Sequence, residues 1–359
     1  MSIQNTANPT ADQTRLRPPN GQKKHIVLLR KAIMLAVGLA LLSYVLRNTD
    51  WQQVSTLARQ ANIGWMIASL AAVPVMVALC VWKWQGILAI SGEHVSFAKL
   101  AGIYVTGQFY NHLLPSSSGG DIVRMVLTRR ETNNHAIAIS SIIMERLTGL
   151  VVLMIMALIA IFFTPELRDD RILFLAVLSG NGMALAILIL AFSNKVSEIF
   201  LQVFKNITWA AVVIRKINSI QNALWVFRNH KQQLVIALLQ SAGFYIVAVF
   251  SVLFATRAFG VTPTLNSQFM IVPIVLTVTL LPITIGGLGL WEWSFTAAFT
   301  AFSMPPELGL SVSLLLRVRD VFWSVAGYAI VLIRFVSQDS HVKPKEVLQV
   351  LKNGSRESM

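Results

Sequence analysis

Pro115-Ser-Ser-Ser-Gly119-Gly120 and Pro282-Ile-Thr-Ile-Gly286-Gly287 are the two stretches that decide how this chain folds. Each carries one of the chain's two Gly-Gly pairs, four residues after a proline and inside otherwise apolar sequence. Lipid cannot satisfy the backbone groups that a broken helix frees, so such breaks occur only against protein or a water-filled cavity. A break repeated in the same frame therefore indicates an internal repeat and points to a transport site.

The composition is that of a membrane protein. Of the 359 residues, 55% are hydrophobic and 13% are charged, whereas an ordinary soluble domain is about 25% charged. The single cysteine, Cys80, excludes an intrachain disulfide, and no Cys/His cluster has the spacing of a zinc site. We therefore expect an all-α polytopic membrane protein that holds no metal and no cofactor.

Apolar runs predict the spans and the domain boundaries. Six runs are long enough to cross a bilayer, namely residues 30–47, 63–82, 138–163, 172–192, 234–255 and 309–334. The two segments with glycine breaks, about 100–128 and 268–303, are predicted as re-entrant hairpins, which raises a count of helices to seven or eight. The prediction is one membrane domain over residues 30–335, between a disordered basic tail (1–29) and a C-terminal tail (336–359).

Basic residues predict the orientation. The N-terminal tail through Lys31 holds six basic residues and one acidic residue, and so does the connection 193–232. Loops on the cytoplasmic side carry such an excess, so we expect an inner membrane with both termini cytoplasmic. The 193–232 connection has an apolar stripe typical of an amphipathic helix on the membrane surface, either as a plain connector or to gather anionic lipid. The two hairpins would then enter from opposite sides, as in an inverted repeat.

Ionisable and small residues near the two breaks form the candidate site. A charge in hydrocarbon costs about 2.5–3.5 kcal/mol by insertion scales, so it normally faces a partner or a cavity. The predicted substrate-binding residues are Asn111, Ser116, Ser117, Ser118, Gly119, Gly120, Asp121, Arg124, Glu145, Arg146, Gly286, Gly287, Glu292, Arg317 and Asp320, and those predicted to shape the hairpins are Pro115, Pro282 and Gly289. For the charged residues of the first half, a position at the membrane surface is the alternative.

These residue types suit an anionic headgroup. A half-helix that begins at a glycine pair directs its positive end toward an anion. Arg124 and Arg317 could clamp a phosphate bidentately, which lysine does less well. Arg317 and Asp320 are three residues apart and could pair on one helix face. Asp121 and Glu292 could neutralise the arginines of an empty site or carry a proton.

The same motifs resemble the family of the lysylphosphatidylglycerol synthase transmembrane region, the flippase-like domain that also includes uncharacterised UPF0104-type membrane proteins. The matching stretches are Asn111-His-Leu-Leu-Pro115-Ser-Ser-Ser-Gly119-Gly120-Asp121-Ile-Val-Arg124, Glu145-Arg146-Leu-Thr-Gly149, Leu281-Pro282-Ile-Thr-Ile-Gly286-Gly287-Leu-Gly289-Leu-Trp-Glu292 and Leu316-Arg317-Val-Arg-Asp320. The resemblance spans roughly residues 30–335. It implies a fold similar to lipid flippases, with relatives linked to isoprenoid-lipid or hopanoid pathways.

Three functions are consistent with these features. The first is a flippase that moves a phosphate-containing lipid, either a phospholipid or an isoprenoid lipid. The second is a non-catalytic membrane partner of lipid- or glycolipid-synthesis enzymes. The third is a membrane-embedded enzyme acting on a lipid-linked substrate, which we do not expect because no nucleophile–base pair, metal cluster or DxD-type sugar-nucleotide site is visible. Anionic lipids are the expected partners and nucleic acid is not, since the positive-inside rule accounts for the net charge of +14.

Overall fold

A computed structural model describes residues 20–113, 119–164, 170–192, 221, 227 and 229–337, and within these ranges the fold is all-α. Eleven α-helices follow one another in the described residues: α1 (Asn20–Arg47), α2 (Trp51–Arg59), α3 (Ile63–Ile90), α4 (Phe97–Leu113), α5 (Gly119–Thr132), α6 (His135–Phe163), α7 (Arg171–Phe192), α8 (Lys231–Ala258), α9 (Leu265–Val278), α10 (Leu290–Ala301) and α11 (Pro306–Ser337). The predicted all-α membrane fold is confirmed.

Within the described residues, the structure has four uninterrupted apolar spans, or five with one bent helix pair, against about six predicted for the chain. Four helices are long and apolar enough to cross a membrane, namely α3, α6, α8 and residues 171–189 of α7. The α1–α2 pair, which is bent by 80°, adds a fifth if it counts as one span. The predicted sixth span is α11, which is 32 residues long but carries Arg317, Arg319 and Asp320 near its middle. Because of these three charges, α11 does not count as an uninterrupted apolar span.

Side-chain caps fix the beginnings of several helices. The Asn62 side chain accepts hydrogen bonds from the backbone N–H groups of Gly64 and Trp65 at the start of α3. Asn134 does the same for Ala136 and Ile137 at the start of α6. Such caps satisfy N–H groups that have no partner within the helix, so they set where each span begins.

The two glycine breaks divide helix pairs that lie between long helices. In chain order, α4 and α5 lie between α3 and α6, and α9 and α10 lie between α8 and α11. The two helices of the first pair pack against each other, as the contact between Gly107 of α4 and Gly120 of α5 shows. The two helix–hairpin–helix units have the order that an inverted repeat requires, and the symmetry itself stays a prediction.

The unit with the first glycine break and the unit with the second, here called the first and second halves, are joined through α3 and α8. These two helices are the most extensively packed pair among the described helices. Ser69 of α3 and Ser251 of α8 exchange hydrogen bonds, with each hydroxyl donating to the other's carbonyl, at 2.9 and 3.1 Å. The first hairpin also packs on the last helix, where the Phe109 and Tyr328 rings stack with centroids 4.1 Å apart. These contacts bring both glycine breaks to one central region.

The predicted tails lie largely outside the described residues. Helix α1 begins at Asn20, so residues 20–29 of the predicted N-terminal tail are helical. Residues 1–19 and 338–359 are outside the described ranges, as is almost all of the predicted amphipathic connection 193–232.

Candidate functional site

Arg124 is the most enclosed charge of the first half. Its side chain is 2% exposed, and its guanidinium carbon lies 4.4 Å from the ring centre of Trp84 and 4.6 Å from that of Tyr104. Arg124 Nη1 lies 3.2 Å from Glu145 Oε2. The two aromatic faces attract the cation, and Nη1 faces the carboxylate, but Nε and Nη2 are buried without a hydrogen-bond partner among the described residues. Arg124 is thus enclosed by Trp84, Tyr104 and Glu145, and its predicted role as a phosphate clamp stays a prediction.

Glu145 joins Arg124 to a buried lysine. Lys83 Nζ lies 3.1 Å from Glu145 Oε1 and donates to the Glu145 carbonyl at 3.0 Å and to Ser241 Oγ at 3.1 Å. Both partners are about 5% exposed, so Glu145 is buried within the protein, and its depth relative to the membrane surface stays a prediction. Removing one partner of a buried ion pair leaves an uncompensated charge, so these contacts constrain α3, α5, α6 and α8 together.

Asp121 and Arg146 continue the cluster toward open space. Arg146 Nη2 lies 2.8 Å from Asp121 Oδ1, and Arg124 Nη1 lies 3.4 Å from the same oxygen. The Arg146 side chain is 51% exposed. We call the five residues Lys83, Asp121, Arg124, Glu145 and Arg146 the first charge cluster; its outer end is Arg146.

The first glycine pair serves close packing rather than a sharp turn. Gly119 and Gly120 open helix α5 and are buried. A Cβ at Gly120 would lie 2.0 Å from the Gly107 carbonyl oxygen, so only glycine lets the two half-helices touch. The Gly120 N–H donates to Asn111 Oδ1 at 2.8 Å. Pro115, Ser116, Ser117 and Ser118 lie outside the described residues, and their predicted roles remain untested.

The second glycine stretch turns the chain. A short 3-10 turn spans Ile285–Gly287, and Gly289 precedes α10 with a φ of +76°. A Cβ at Gly289 would lie 2.2 Å from the carbonyl oxygen of Gly38 in α1. Gly289 is thus required both by its left-handed backbone and by the approach of α1. Pro282 lies in the exposed turn before these residues.

Glu292 and Arg317 form the centre of the second half. Arg317 Nε lies 2.5 Å from Glu292 Oε1, and Arg317 Nη2 donates to the Gly287 carbonyl at 3.2 Å. Glu292 Oε2 accepts from the Gly289 N–H at 2.8 Å. The Glu292 side chain is 3% exposed and that of Arg317 is 34% exposed. Glu292 therefore caps α10 and orients Arg317, which keeps an open side.

Asp320 pairs with its neighbour and not with Arg317, so that predicted pair is wrong. Arg319 Nη2 lies 2.7 Å from Asp320 Oδ1, and Arg319 Nη1 donates to Ser251 Oγ on α8. Arg317 instead reaches α10, where the buried Glu292 carboxylate lies 2.5 Å from Arg317 Nε. We call Glu292, Arg317, Arg319 and Asp320 the second charge cluster.

Both clusters border one cavity of about 680 Å³. It is lined by the predicted site residues Asn111, Asp121, Arg146, Gly286, Gly287, Arg317 and Asp320, together with Arg319. Apolar side chains from α3, α8 and α9 form another part of the wall, among them Val73, Met76, Phe244, Val252 and Val275. Arg124, Glu145 and Glu292 stand behind this lining. Binding of a substrate by any of these residues stays a prediction.

Three contributing residues were missed by the sequence analysis. Lys83 follows the predicted end of the span 63–82, where a lysine is typical of the membrane surface, yet α3 continues to Ile90. The apolar run beyond Lys83 was the available signal. Arg319 was not assigned to the site, because its contact with Ser251 joins two different helices. No local pattern marks Gly38, whose role depends on the packing of α1.

In the described part of the chain, no group of three His, Cys, Asp or Glu side chains is placed to hold a metal ion. Cys80 is buried in α3.

Comparison with known proteins gives a family match over most of the chain. The family described as Lysylphosphatidylglycerol synthase TM region matches residues 31–327. A UPF0104 membrane protein of Methanocaldococcus jannaschii is 25% identical over 319 residues, which cover 84% of this chain and 90% of the relative. No solved structure matches the chain significantly.

Proposed function

The chain belongs to the family of the lysylphosphatidylglycerol synthase TM region, and from this premise we propose that it moves a lipid with a phosphate-containing headgroup across a cell inner membrane. The observation that carries the proposal is the central cavity. Three arginines and two aspartates share this cavity with an apolar wall. Such a mixed lining suits a ligand with a charged head and an apolar tail.

The cavity has the size and the chemistry of a ligand site. Its volume of about 680 Å³ falls within the roughly 300–1,000 Å³ typical of small-molecule sites, which are mostly apolar with a few placed polar groups. Arginines that remain at membrane depth normally mark a substrate path. The apolar residues from α3, α8 and α9 would accept acyl or prenyl chains while the arginines hold the headgroup.

Arg317 is preorganised for an anion. Its bonds to Glu292 and to the Gly287 carbonyl fix one edge of the guanidinium, and about a third of the side chain stays open to the cavity. A guanidinium that is already held by other hydrogen bonds loses little conformational freedom when it binds a phosphate. Asp121 and Glu292 hold Arg146 and Arg317 in the empty site, which avoids an isolated charge at membrane depth.

Alternating access would arise from movement of the hairpins. The breaks before α5 and α10 divide helices next to the cavity, as in transporters whose discontinuous helices carry the substrate site. We place both termini in the cytoplasm as part of this proposal, on the strength of the basic residues alone. No chemical conversion of the lipid is included.

The test is headgroup translocation by the purified chain in liposomes. Fluorescent phosphatidylglycerol, its lysyl form and a polyprenyl phosphate are the lipids to compare. The variant combines Arg317→Ala with Glu292→Ala, so that no buried carboxylate is left without a partner. Loss of a charge-assisted contact should slow transport about tenfold or more. Arg129→Ala removes an exposed arginine of α5 that does not line the cavity and should leave the rate unchanged.

Two results would contradict the proposal. Equal rates for wild type and the double variant would exclude the cavity as the path. If well-folded protein moved none of the lipids, the chain would instead be a membrane partner of lipid- or glycolipid-synthesis enzymes.

A further inference from the structure

Helix α9 is too short to cross a membrane. It covers Leu265–Val278, which is 14 residues, so it spans about 21 Å against a hydrocarbon core of about 30 Å. The C-terminal end of a helix carries about half a negative charge, and the last turn of α9 has no basic residue. We therefore expect this end at membrane depth, where half-helix ends of this polarity favour a cation.

The end of α9 packs against α7 at a glycine. A Cβ at Gly180 of α7 would lie 2.5 Å from the Thr277 carbonyl oxygen and 2.7 Å from Thr277 Cγ2. The carbonyl and the side chain of Thr277 thus both lie against α7, and the missing side chain at Gly180 leaves room for them. The next residue, Asn181, belongs to the same buried face of α7 as Gly180. The other buried residues of this face are Leu173, Val177 and Ala184.

Two side-chain oxygens at this contact have no hydrogen-bond partner among the described residues, namely Thr277 Oγ1 and Asn181 Oδ1. Thr277 is 1% exposed and Asn181 is 5% exposed. The Asn181 amide nitrogen donates to the Val177 carbonyl at 3.0 Å, which leaves the amide oxygen as the free acceptor. A buried polar atom without a partner destabilises the folded chain, so a ligand that satisfies both oxygens would stabilise it.

We propose that these oxygens bind a sodium ion. The ligands are Thr277 Oγ1, Asn181 Oδ1 and the Thr277 carbonyl oxygen, which has two lone pairs and accepts the Leu280 N–H at 3.2 Å with one of them. Neutral oxygens of this kind hold alkali cations in channels. A divalent cation is disfavoured because calcium and magnesium sites normally include carboxylates. The close contact at Gly180 favours sodium over the larger potassium ion.

The sodium site lies directly behind the wall of the central cavity. Leu276 and Thr279, at the same end of α9, line that cavity. The site uses none of the residues of the two charge clusters, so the inference does not rest on the transport proposal. It differs from the expected absence of a metal, which was based on Cys and His patterns.

Thermal unfolding of the purified full chain in detergent tests the site. Sodium chloride at about 200 mM should raise the melting temperature by about 2–5 °C relative to equal potassium chloride or N-methylglucamine chloride, since an ion that binds only the folded chain stabilises it. The effect should saturate with sodium concentration. Equal melting temperatures in the three salts would overturn the inference and leave a water, or a direct Thr277–Asn181 hydrogen bond, at this contact.

Thr277→Val removes the unpaired hydroxyl and nearly keeps the shape of the side chain. It should abolish the sodium effect, and in sodium-free buffer it should melt no lower than wild type, because the hydroxyl has no hydrogen bond to lose. The matched control is Thr256→Val, since Thr256 is a fully buried threonine of α8 whose hydroxyl donates to the Val252 carbonyl at 2.9 Å. The control should keep the full sodium effect. A sodium effect that persists in Thr277→Val would refute the site.

Asn181→Asp should act in the opposite direction. A carboxylate in place of the amide should lower the half-saturating sodium concentration about tenfold, because ligand charge strengthens cation binding. In sodium-free buffer the same variant should melt below wild type, because its buried carboxylate has no cation beside it. An unchanged sodium affinity in Asn181→Asp would contradict the assignment of Asn181 Oδ1 as a ligand.

Discussion

The two glycine stretches have the same spacing in sequence but different roles in the structure. Gly119 and Gly120 lie inside the first turn of α5, where Gly120 allows α4 and α5 to touch. Gly286 and Gly287 lie in a turn with positive φ and border the cavity. A repeated break therefore sets where the helices end, whereas the packing around it determines its structural role.

The arginines that follow the two breaks also differ in their exposure to the cavity. Arg124, the arginine of the first motif, lies between two rings and is closed off from the cavity. Arg317 of the second half is open to it. In the first half the arginine exposed to the cavity is Arg146, at the outer end of the first charge cluster. The first half is therefore largely a scaffold with one open charge, and the second half is a more open site.

The largest expected difference between the halves is in stability. Lys83→Met removes a partner of the buried Glu145, which should cost about 3–5 kcal/mol. Asp320→Asn removes an acid whose side chain is 37% exposed, and because the asparagine oxygen can still accept a hydrogen bond from Arg319, it should cost less, about 1–2 kcal/mol. Melting in detergent, followed by size-exclusion chromatography, measures both. Equal melting temperatures would mean that the first cluster is no more closed than the second.

The two glycine pairs should also differ, by a smaller amount. At Gly120 a Cβ would meet the Gly107 carbonyl at 2.0 Å, whereas at Gly286 it meets nothing within 4 Å. Gly120→Ala should destabilise the chain by about 2–3 kcal/mol through overpacking. Gly286→Ala should cost only about 1 kcal/mol, for the left-handed backbone. A greater loss at Gly286 would contradict the assigned roles. The same melting assay serves, with folded yield as a second readout.

The smallest expected difference is in the solvent access of single positions, which chemical labelling of cysteines measures. In a Cys80→Ala background, Asp320→Cys places a thiol on the cavity wall, and Thr128→Cys places one at a fully buried position of α5. A small water-soluble maleimide should label position 320 within minutes and position 128 far more slowly. Comparable rates would show that the first half opens as readily as the second.

Much of this arrangement could be predicted from sequence, because some signals are local. The glycine breaks, the unusual charges of Glu292 and Arg317 and the family motifs all lie within short stretches. Their meaning rests on one rule, that lipid tolerates neither free backbone groups nor lone charges. The all-α membrane fold follows from the same rule.

The pairing of the charges could not be predicted. Spacing along one helix suggested Arg317 with Asp320, but the actual partner of Arg317 is 25 residues away on α10. Burial of Arg124 depends on Trp84 and Tyr104, which come from two other helices. Lys83 looked like the end of a span, although the apolar run beyond it was a signal that the helix continues to Ile90. Such contacts depend on helix rotation and depth, which a single sequence leaves open.

Photo-crosslinking of a phosphatidylglycerol with a photoreactive headgroup tests most directly whether the cavity receives a lipid headgroup. Cross-linked peptides from the chain in nanodiscs are mapped by mass spectrometry. The account predicts adducts at cavity residues of both halves, such as Gln108 and Trp323, and their loss when Arg146→Gln and Arg317→Gln are combined. Adducts confined to outward-facing residues such as Leu175 and Leu239, unchanged in the double variant, would contradict it.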